Sequence, residues 1–168
     1  MARTRTQSVA AKSLRAYITT ILAMGGAAFA YSRVHIDPHF PDECANRIER
    51  AEGKWIRSYC ETRRGDALFV AFALGRVAGL LAALKVDVER RPAVVIDLIA
   101  ADASARGSRV ARAIAGRFRR HFRDQADVLR VGIQVTTAAF QSLYQSRGFT
   151  TVEAAYVLHA HRRNGAFL

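Results

Sequence analysis

The sequence predicts one α/β domain, a sheet with helices on both faces, and three observations carry that expectation. Ala93-Val94-Val95-Ile96-Asp97-Leu98-Ile99-Ala100 is an almost unbroken apolar run of strand length, the pattern of a central strand covered on both sides. Ala67 to Leu74 and Val77 to Lys85 are apolar runs joined by Gly75-Arg76, the shape of a tight hairpin. Downstream, strand-like and helix-like patterns alternate, which builds a layered sheet-and-helix fold.

Taken in order, the chain opens with Arg3, Arg5, Lys12 and Arg15, an apolar run from Ala16 to Ala30 and the small-residue ending Ala28-Phe29-Ala30, which together mimic a secretory leader. Two threonines and Gly25-Gly26 interrupt the run, and it is shorter than the ~20 residues that a membrane span needs. The preferred reading is a helix from about Ser8 to Met24 feeding a first strand, Ala27 to Ile36, so that an N-terminal helical segment (1–26) precedes a core (27–168). Pro38 has no N–H for a ladder and ends that strand. Pro41-Asp42-Glu43 then starts a helix in which Ile48, Ala51, Trp55 and Tyr59 recur at helical spacing.

After the hairpin, a charged loop from Asp87 to Arg91 leads into the central strand, and a polar loop from Asp102 to Ser108 leaves it. Val110, Ile114, Phe118 and Phe122 fall four apart along one side of a helix, with Arg109, Arg112, Arg119, Arg120 and Arg123 on the remainder, where charges spread around a helix read as its solvated surface. Leu129, Val131, Ile133 and Val135 alternate as a strand. Thr137 to Arg147 reads as a helix closed by Gly148, and a last strand runs from about Thr151 to His159.

Composition bounds the function. At 168 residues, with 51% hydrophobic and 24% charged residues, the chain can bury a core, so disordered and disulfide-scaffold classes drop away. Cys44 and Cys60 fit no zinc pattern, which needs clustered ligand pairs, and reduced thiols in a cytoplasm are the expected state. A net charge of +12 points to an anionic partner. However, 23 of the 26 cations are Arg and the chain holds 31 Ala, a compositional bias that arises without selection on binding, so no specific nucleic acid is expected.

Ile96-Asp97-Leu98-Ile99-Ala100-Ala101-Asp102-Ala103-Ser104-Ala105-Arg106-Gly107-Ser108-Arg109-Val110-Ala111 resembles motif A of the GNAT acyl-CoA N-acyltransferases, which ends in Arg/Gln-x-x-Gly-x-Gly/Ala. Thr137-Ala138-Ala139-Phe140-Gln141-Ser142-Leu143-Tyr144-Gln145-Ser146-Arg147-Gly148-Phe149 is similar to motif B, Asn-x-x-Ala-x-x-x-Tyr-x-x-x-Gly-Phe. The chain departs from these patterns at Arg109, where the family has glycine, and at Thr137, where it has asparagine. Tyr31 to Pro41 and Lys54-Trp55-Ile56 resemble the branch that contains dTDP-fucosamine N-acetyltransferase.

The resemblance implies the GNAT fold: a mixed, mostly antiparallel central sheet flanked by helices on both faces and splayed between the fourth and fifth strands. It implies acetyl-CoA as cofactor, the diphosphate resting on main-chain N–H groups of Arg106, Gly107, Ser108, Arg109, Val110 and Ala111, where a helix start also favours negative charge. The free edge of Leu98, Ile99, Ala100 and Ala101 then pairs with the pantetheine amides, Thr137 adds a weaker cofactor contact than asparagine, and Tyr144 protonates the departing thiolate. Tyr144 reads alternatively as an aromatic packed beside Phe140 and Phe149. Asp97 is the candidate general base, or equally a paired structural carboxylate.

His35, Asp37 and His39 alternate as metal ligands do on one strand face, but Pro38 breaks the geometry and GNATs need no metal, so they are assigned to the acceptor side of the cleft. The acceptor expected is a small-molecule amine, foremost that of a nucleotide-linked aminodeoxy sugar whose diphosphate would call for arginines, with dimerisation a way to complete its pocket. Protein and aminoglycoside amines are the enzymatic alternatives. A catalytically silent basic module that binds nucleic acid or protein is the non-enzymatic one.

Overall fold

A tight antiparallel hairpin anchors the sheet in the computed structural model, which describes residues 5–8, 17–23, 54–61, 64–105, 107, 109–134, 137–155, 162–163 and 166–167. Strand β1 is Arg5–Ser8, β2 Ala67–Ala73, β3 Arg76–Val88, β4 Arg91–Ala101 and β5 Val128–Val131, in the spatial order β1-β2-β3-β4-β5. The first three pairings are antiparallel, whereas β4 and β5 run parallel. Residues 18–23 (α1), 54–61 (α2), Val110–Phe122 (α3) and Ala138–Gln145 (α4) are helical.

Alternation along the strands sorts the core onto two faces. Leu68, Val70, Leu80, Ala82, Leu98 and Ala100 form one buried cluster with Ile21 of α1 and Ile56 and Tyr59 of α2. Phe69 turns to the other face, where its ring meets Phe118 (6.4 Å between centroids) and Phe122 (6.3 Å) of α3 edge-on. Val110, Ile114, Phe118 and Phe122 are all buried, so the four-residue spacing read from the sequence is the face by which α3 docks. Each such burial contributes about 1.5–3 kcal/mol, more than the intrinsic helix preference of a segment containing Gly116. Gly79 lets α3 sit this close: a Cβ there would stand 2.7 Å from Val110 Cγ1 and 3.0 Å from the Ala100 carbonyl.

Several elements differ from the sequence reading. Arg5–Ser8 is an edge strand paired with Ser8↔Phe69, so a helix does not begin at Ser8. The first hairpin turns at Leu74-Gly75 rather than Gly75-Arg76, both residues having positive φ (51° and 74°). The charged loop shrinks to Glu89-Arg90, also at positive φ, because β3 and β4 keep pairing to Val88↔Arg91. These are the backbone signs of turns whose twist matches the strands they join. The strand expected through Val135 stops at Val131, where its partnership with Ile96 ends. Residues 151–155, expected in a last strand, are irregular and exposed, and 156–159 lie outside the described residues, as does the proposed strand over 27–36.

The chain divides into two compact units, Met1–Gln134 and Val135–Leu168. The second holds α4 and a short strand pair, β6 (Arg162–Arg163) with β7 (Ala166–Phe167). Among the described residues no helix is long and apolar enough to cross a membrane.

Candidate active site

Strand β4 has two unequal edges. Along one it pairs with β3 through Ala101, and along the other β5 accompanies it only from Ala93↔Val128 to Ile96↔Val131. Leu98, Ile99, Ala100 and Ala101 therefore have a β5-side edge with no strand partner among the described residues, which is the splay between the fourth and fifth strands that the sequence resemblance implied. An unpaired edge presents alternating N–H and C=O groups to whatever extended, amide-bearing chain lies beside it.

The departure is sharpened by a bulge. Ala82 pairs with Leu98 and Ala83 with Ile96, so Asp97 is an extra residue with no partner across the ladder. Such an insertion re-aims a side chain. Here it turns Asp97 toward α2, where Oδ2 accepts hydrogen bonds from Trp55 Nε1 (3.1 Å) and from the Tyr59 hydroxyl, and lies 3.9 Å from Arg64 Nε. The Arg64 guanidinium also stands over the Trp55 ring, 5.8 Å from its centroid. Burial, reinforced by the Asp97 carboxylate, raises the Tyr59 pKa well above that of an ordinary phenol, so Tyr59 stays a donor. The Asp97 side chain remains 17% exposed.

Trp55 and Tyr59 were legible only as members of a helical period. Their polar tips face the same way because residues four apart share a helix face, but their common acceptor lies 42 and 38 residues further on.

Beyond β4, Asp102 organises the approach to α3. Its carboxylate accepts the Ser104 N–H (2.9 Å) and the Ser104 hydroxyl, its carbonyl accepts the Ala105 N–H (2.9 Å), and its own N–H reaches back to the Ala78 carbonyl (3.0 Å). Gly107 follows at φ 74° with open space where a Cβ would stand, a conformation that glycine adopts at little cost. Arg109 is the N-cap residue of α3 and is exposed to solvent, Val110 is buried and Ala111 half-buried. Among the described residues no side chain caps this helix start and its first turn contains no acid, so its N–H groups and positive dipole end are not neutralised from within the helix. Arg106 and Ser108 lie outside the described residues, as do His35, Asp37 and His39.

In the second unit, Thr137 is the N-cap residue of α4, its carbonyl accepting the N–H groups of Phe140 (3.0 Å) and Gln141 (3.1 Å). Gly148 (φ 82°) lies just past the C-terminal end, with the Phe149 N–H closing back on the Tyr144 carbonyl (3.1 Å). Tyr144 is the buried residue of α4, 3% exposed, stacked on Phe140 (6.4 Å, 22°) and edge-on to Phe149 (5.3 Å). Its aromatic packing is thus real, but its hydroxyl is buried with no hydrogen-bond partner among the described residues. Burial raises its pKa, so it holds its proton. A buried hydroxyl without a partner forfeits about 1–3 kcal/mol of solvation.

The first unit thus carries an open strand edge and a helix start that its N-cap residue Arg109 does not cap, and the second carries a buried, protonated hydroxyl. Residues 30–149 match the model of the acetyltransferase (GNAT) family. The fold is similar to that of a Pyrococcus furiosus protein considered an acetyl transferase (TM-score 0.72, 16% identity, covering 94% of this chain and 99% of that one). It is similar also to the aminoglycoside acetyltransferase meta-AAC0020 from an uncultured soil metagenomic sample, solved with sisomicin (0.64, 12%, 95% and 97%). A third likeness is to the aminoglycoside N-acetyltransferase AAC(6')-Iy, solved with CoA (0.63, 16%, 98% and 97%). At these identities the likeness concerns the fold, and no curated protein matches in sequence. The family model spans well over half of the chain, and with it the splayed sheet and both motifs, so the protein belongs to the GNAT family of acetyl-CoA-dependent N-acetyltransferases.

Proposed function

We propose that this acetyltransferase acts on the primary amine of a nucleotide-linked aminodeoxy sugar, with Tyr144 as the general acid. The observation that carries the catalytic assignment is the Tyr144 hydroxyl: buried, with no hydrogen-bond partner among the described residues, and kept protonated by its surroundings. Acetyl-CoA supplies the activated acetyl group. The N–H groups from Arg106 to Ala111 take the diphosphate, the outer edge of Leu98 to Ala101 takes the pantetheine amides, and Thr137 adds a polar contact. The Ile99 or Ala100 N–H is the donor for the carbonyl oxygen, whose negative charge grows as the amine attacks. Tyr144 then gives its proton to the departing sulfur.

With Oδ2 of Asp97 engaged by Trp55 and Tyr59, Oδ1, to which no described residue donates, is the oxygen to accept a proton from the amine. Holding two reactants in one geometry supplies much of the remaining acceleration. For the acceptor, the net charge of +12 favours an anionic nucleotide sugar over a polycationic one, and Tyr31 to Pro41, with His35, Asp37 and His39, resembles the fucosamine branch. An aminoglycoside is the second reading, favoured by the fold likeness to enzymes solved with sisomicin and with CoA. A turnover assay with acetyl-CoA over dTDP- and UDP-aminosugars beside sisomicin decides: turnover of the sugars alone supports the proposal, and turnover of sisomicin alone replaces it.

A further inference from the structure

Trp55 and Tyr59 stand one turn apart on α2 and converge on a single atom, Oδ2 of Asp97. The Arg64 guanidinium approaches that same oxygen, its Nε 3.9 Å away. No described residue donates to Oδ1, although an ionised carboxylate has about four lone-pair sites shared between its two oxygens. A carboxylate kept only to join two elements gains most when donors reach both oxygens. Here they load one oxygen and leave the other, on a side chain that is still 17% exposed.

The loop that follows α2 fixes the Tyr59 ring in turn. Gly65, at φ 85°, lies against it: a Cβ there would overlap the ring at Cε1 and stand 3.0 Å from the Ala83 carbonyl oxygen, so the chain passes this close only as glycine. The crossing is tied down on both sides. The Arg64 N–H donates to the Ser58 carbonyl (3.1 Å), the Asp66 N–H to the Ala83 carbonyl (3.0 Å) and the Lys85 N–H to Asp66 Oδ2 (2.6 Å). Ile56 and Tyr59 are themselves buried in the cluster that α2 shares with the sheet, which holds the helix against turning about its axis.

We propose that Tyr59, together with Trp55, is a positioning residue of the acetyl transfer, holding the Asp97 carboxylate by one oxygen so that Oδ1 is presented to the acceptor amine. The proposal rests on the reading of Asp97 as the general base. Rotation of a carboxylate about its Cβ–Cγ bond is broad and two-fold, so Asp97 has no preferred carboxylate plane of its own, and two donors on Oδ2 supply one. A reacting group misplaced by about 1 Å can forfeit on the order of 10²-fold in rate.

The chain holds a single tryptophan, so Trp55 gives the one indole N–H cross-peak of a ¹H–¹⁵N spectrum, a probe of the Asp97 contact that needs no acceptor. Asp97→Asn and Tyr59→Phe should each move that peak. Initial rates are then measured with acetyl-CoA and the fastest acceptor among dTDP- and UDP-aminosugars and sisomicin, well below the melting midpoint of each variant. Asp97→Asn should lower kcat about 10²- to 10⁴-fold. Tyr59→Phe should lower kcat about 10- to 100-fold with the KM for acetyl-CoA unchanged, and should cost nothing further when added to Asp97→Asn, because groups that act as a unit are not additive. Trp55→Phe removes the other donor, should repeat this kinetic pattern, and serves in its place if Tyr59→Phe does not fold. Asp97→Asn at the wild-type rate refutes the base reading and the proposal with it. A crippled Asp97→Asn beside a Tyr59→Phe of full kcat, or a Tyr59→Phe loss that adds in full to that of Asp97→Asn, refutes the positioning alone. So does an indole peak that neither variant moves.

Discussion

Replacing Tyr144 with Phe removes one oxygen and leaves the ring, so its two consequences can be separated. The ring keeps its stacking on Phe140 and its edge contact with Phe149. What is lost is a hydroxyl that is buried and has no partner among the described residues. Removing a desolvated, unsatisfied group costs the folded protein nothing and recovers part of its ~1–3 kcal/mol solvation penalty, so Tyr144→Phe should stabilise by about 1 kcal/mol. For a chain of this size that raises Tm by roughly 2–4 °C. Catalysis should move the other way: loss of a positioned general acid lowers kcat about 10²- to 10⁴-fold, or roughly 3–5 kcal/mol of barrier. Thermal melts followed by circular dichroism give the first number, and thiol release from acetyl-CoA gives the second. Opposite signs are the signature of a group kept for chemistry. A variant with full turnover, or one that melts lower with unchanged activity, refutes the acid assignment and leaves Tyr144 as a packing residue.

Leu74 is 84% exposed and sits at φ 51° in the first hairpin turn, so Leu74→Asn gives up almost no packing and places in that turn a residue that tolerates the left-handed region. A gain of about 0.5–1 kcal/mol in urea unfolding is expected, and a loss would count against the turn geometry. Gly79→Ala should cost about 1–3 kcal/mol, since the new methyl would meet the Ala100 carbonyl at 3.0 Å and the Val110 side chain at 2.7 Å; an unchanged midpoint would mean that α3 does not pack against β3 at this distance. Tyr59→Phe leaves Asp97 Oδ2 without one of its two hydrogen-bond donors and should destabilise by about 1–3 kcal/mol, the reverse of the effect at Tyr144. Because Tyr59 and Tyr144 both have folded-state pKa values raised above the ordinary 10, their share of stability is full below about pH 10 and is lost as pH rises further. Urea midpoints of the wild type should fall as pH rises from about 10 to 11, more steeply than those of the Tyr59→Phe, Tyr144→Phe double variant. Equal slopes would remove both groups from the account.

Sequence alone determined the elements whose residues report their own burial. The apolar positions of α3, the strands β2 to β4 and the Gly148 that closes α4 were each legible, because periodicity and a conformational exception are local properties. The motif around Tyr144 was legible too, as was the edge of β4 left open by β5, through resemblance rather than through any local rule.

Pairing was not legible in this way. That Arg5–Ser8 joins the sheet as an edge strand, that the second hairpin tightens to two residues and that residues 151–155 find no ladder depend on which strand lies alongside, a choice made by partners distant in the chain. Asp97 shows the difference most plainly. As a letter it is a carboxylate in an apolar run, open to a base or to a structural pair. Only the one-residue insertion against β3 turns it toward Trp55, Tyr59 and Arg64, and burial on α2, reinforced by the carboxylate itself, keeps Tyr59 a donor to it. Likewise, counting arginines yields a net charge, but docking the apolar face of α3 on the sheet is what leaves Arg112, Arg119, Arg120 and Arg123 exposed. Composition sets how much charge there is, and the direction in which the core pulls each helix sets where it stands.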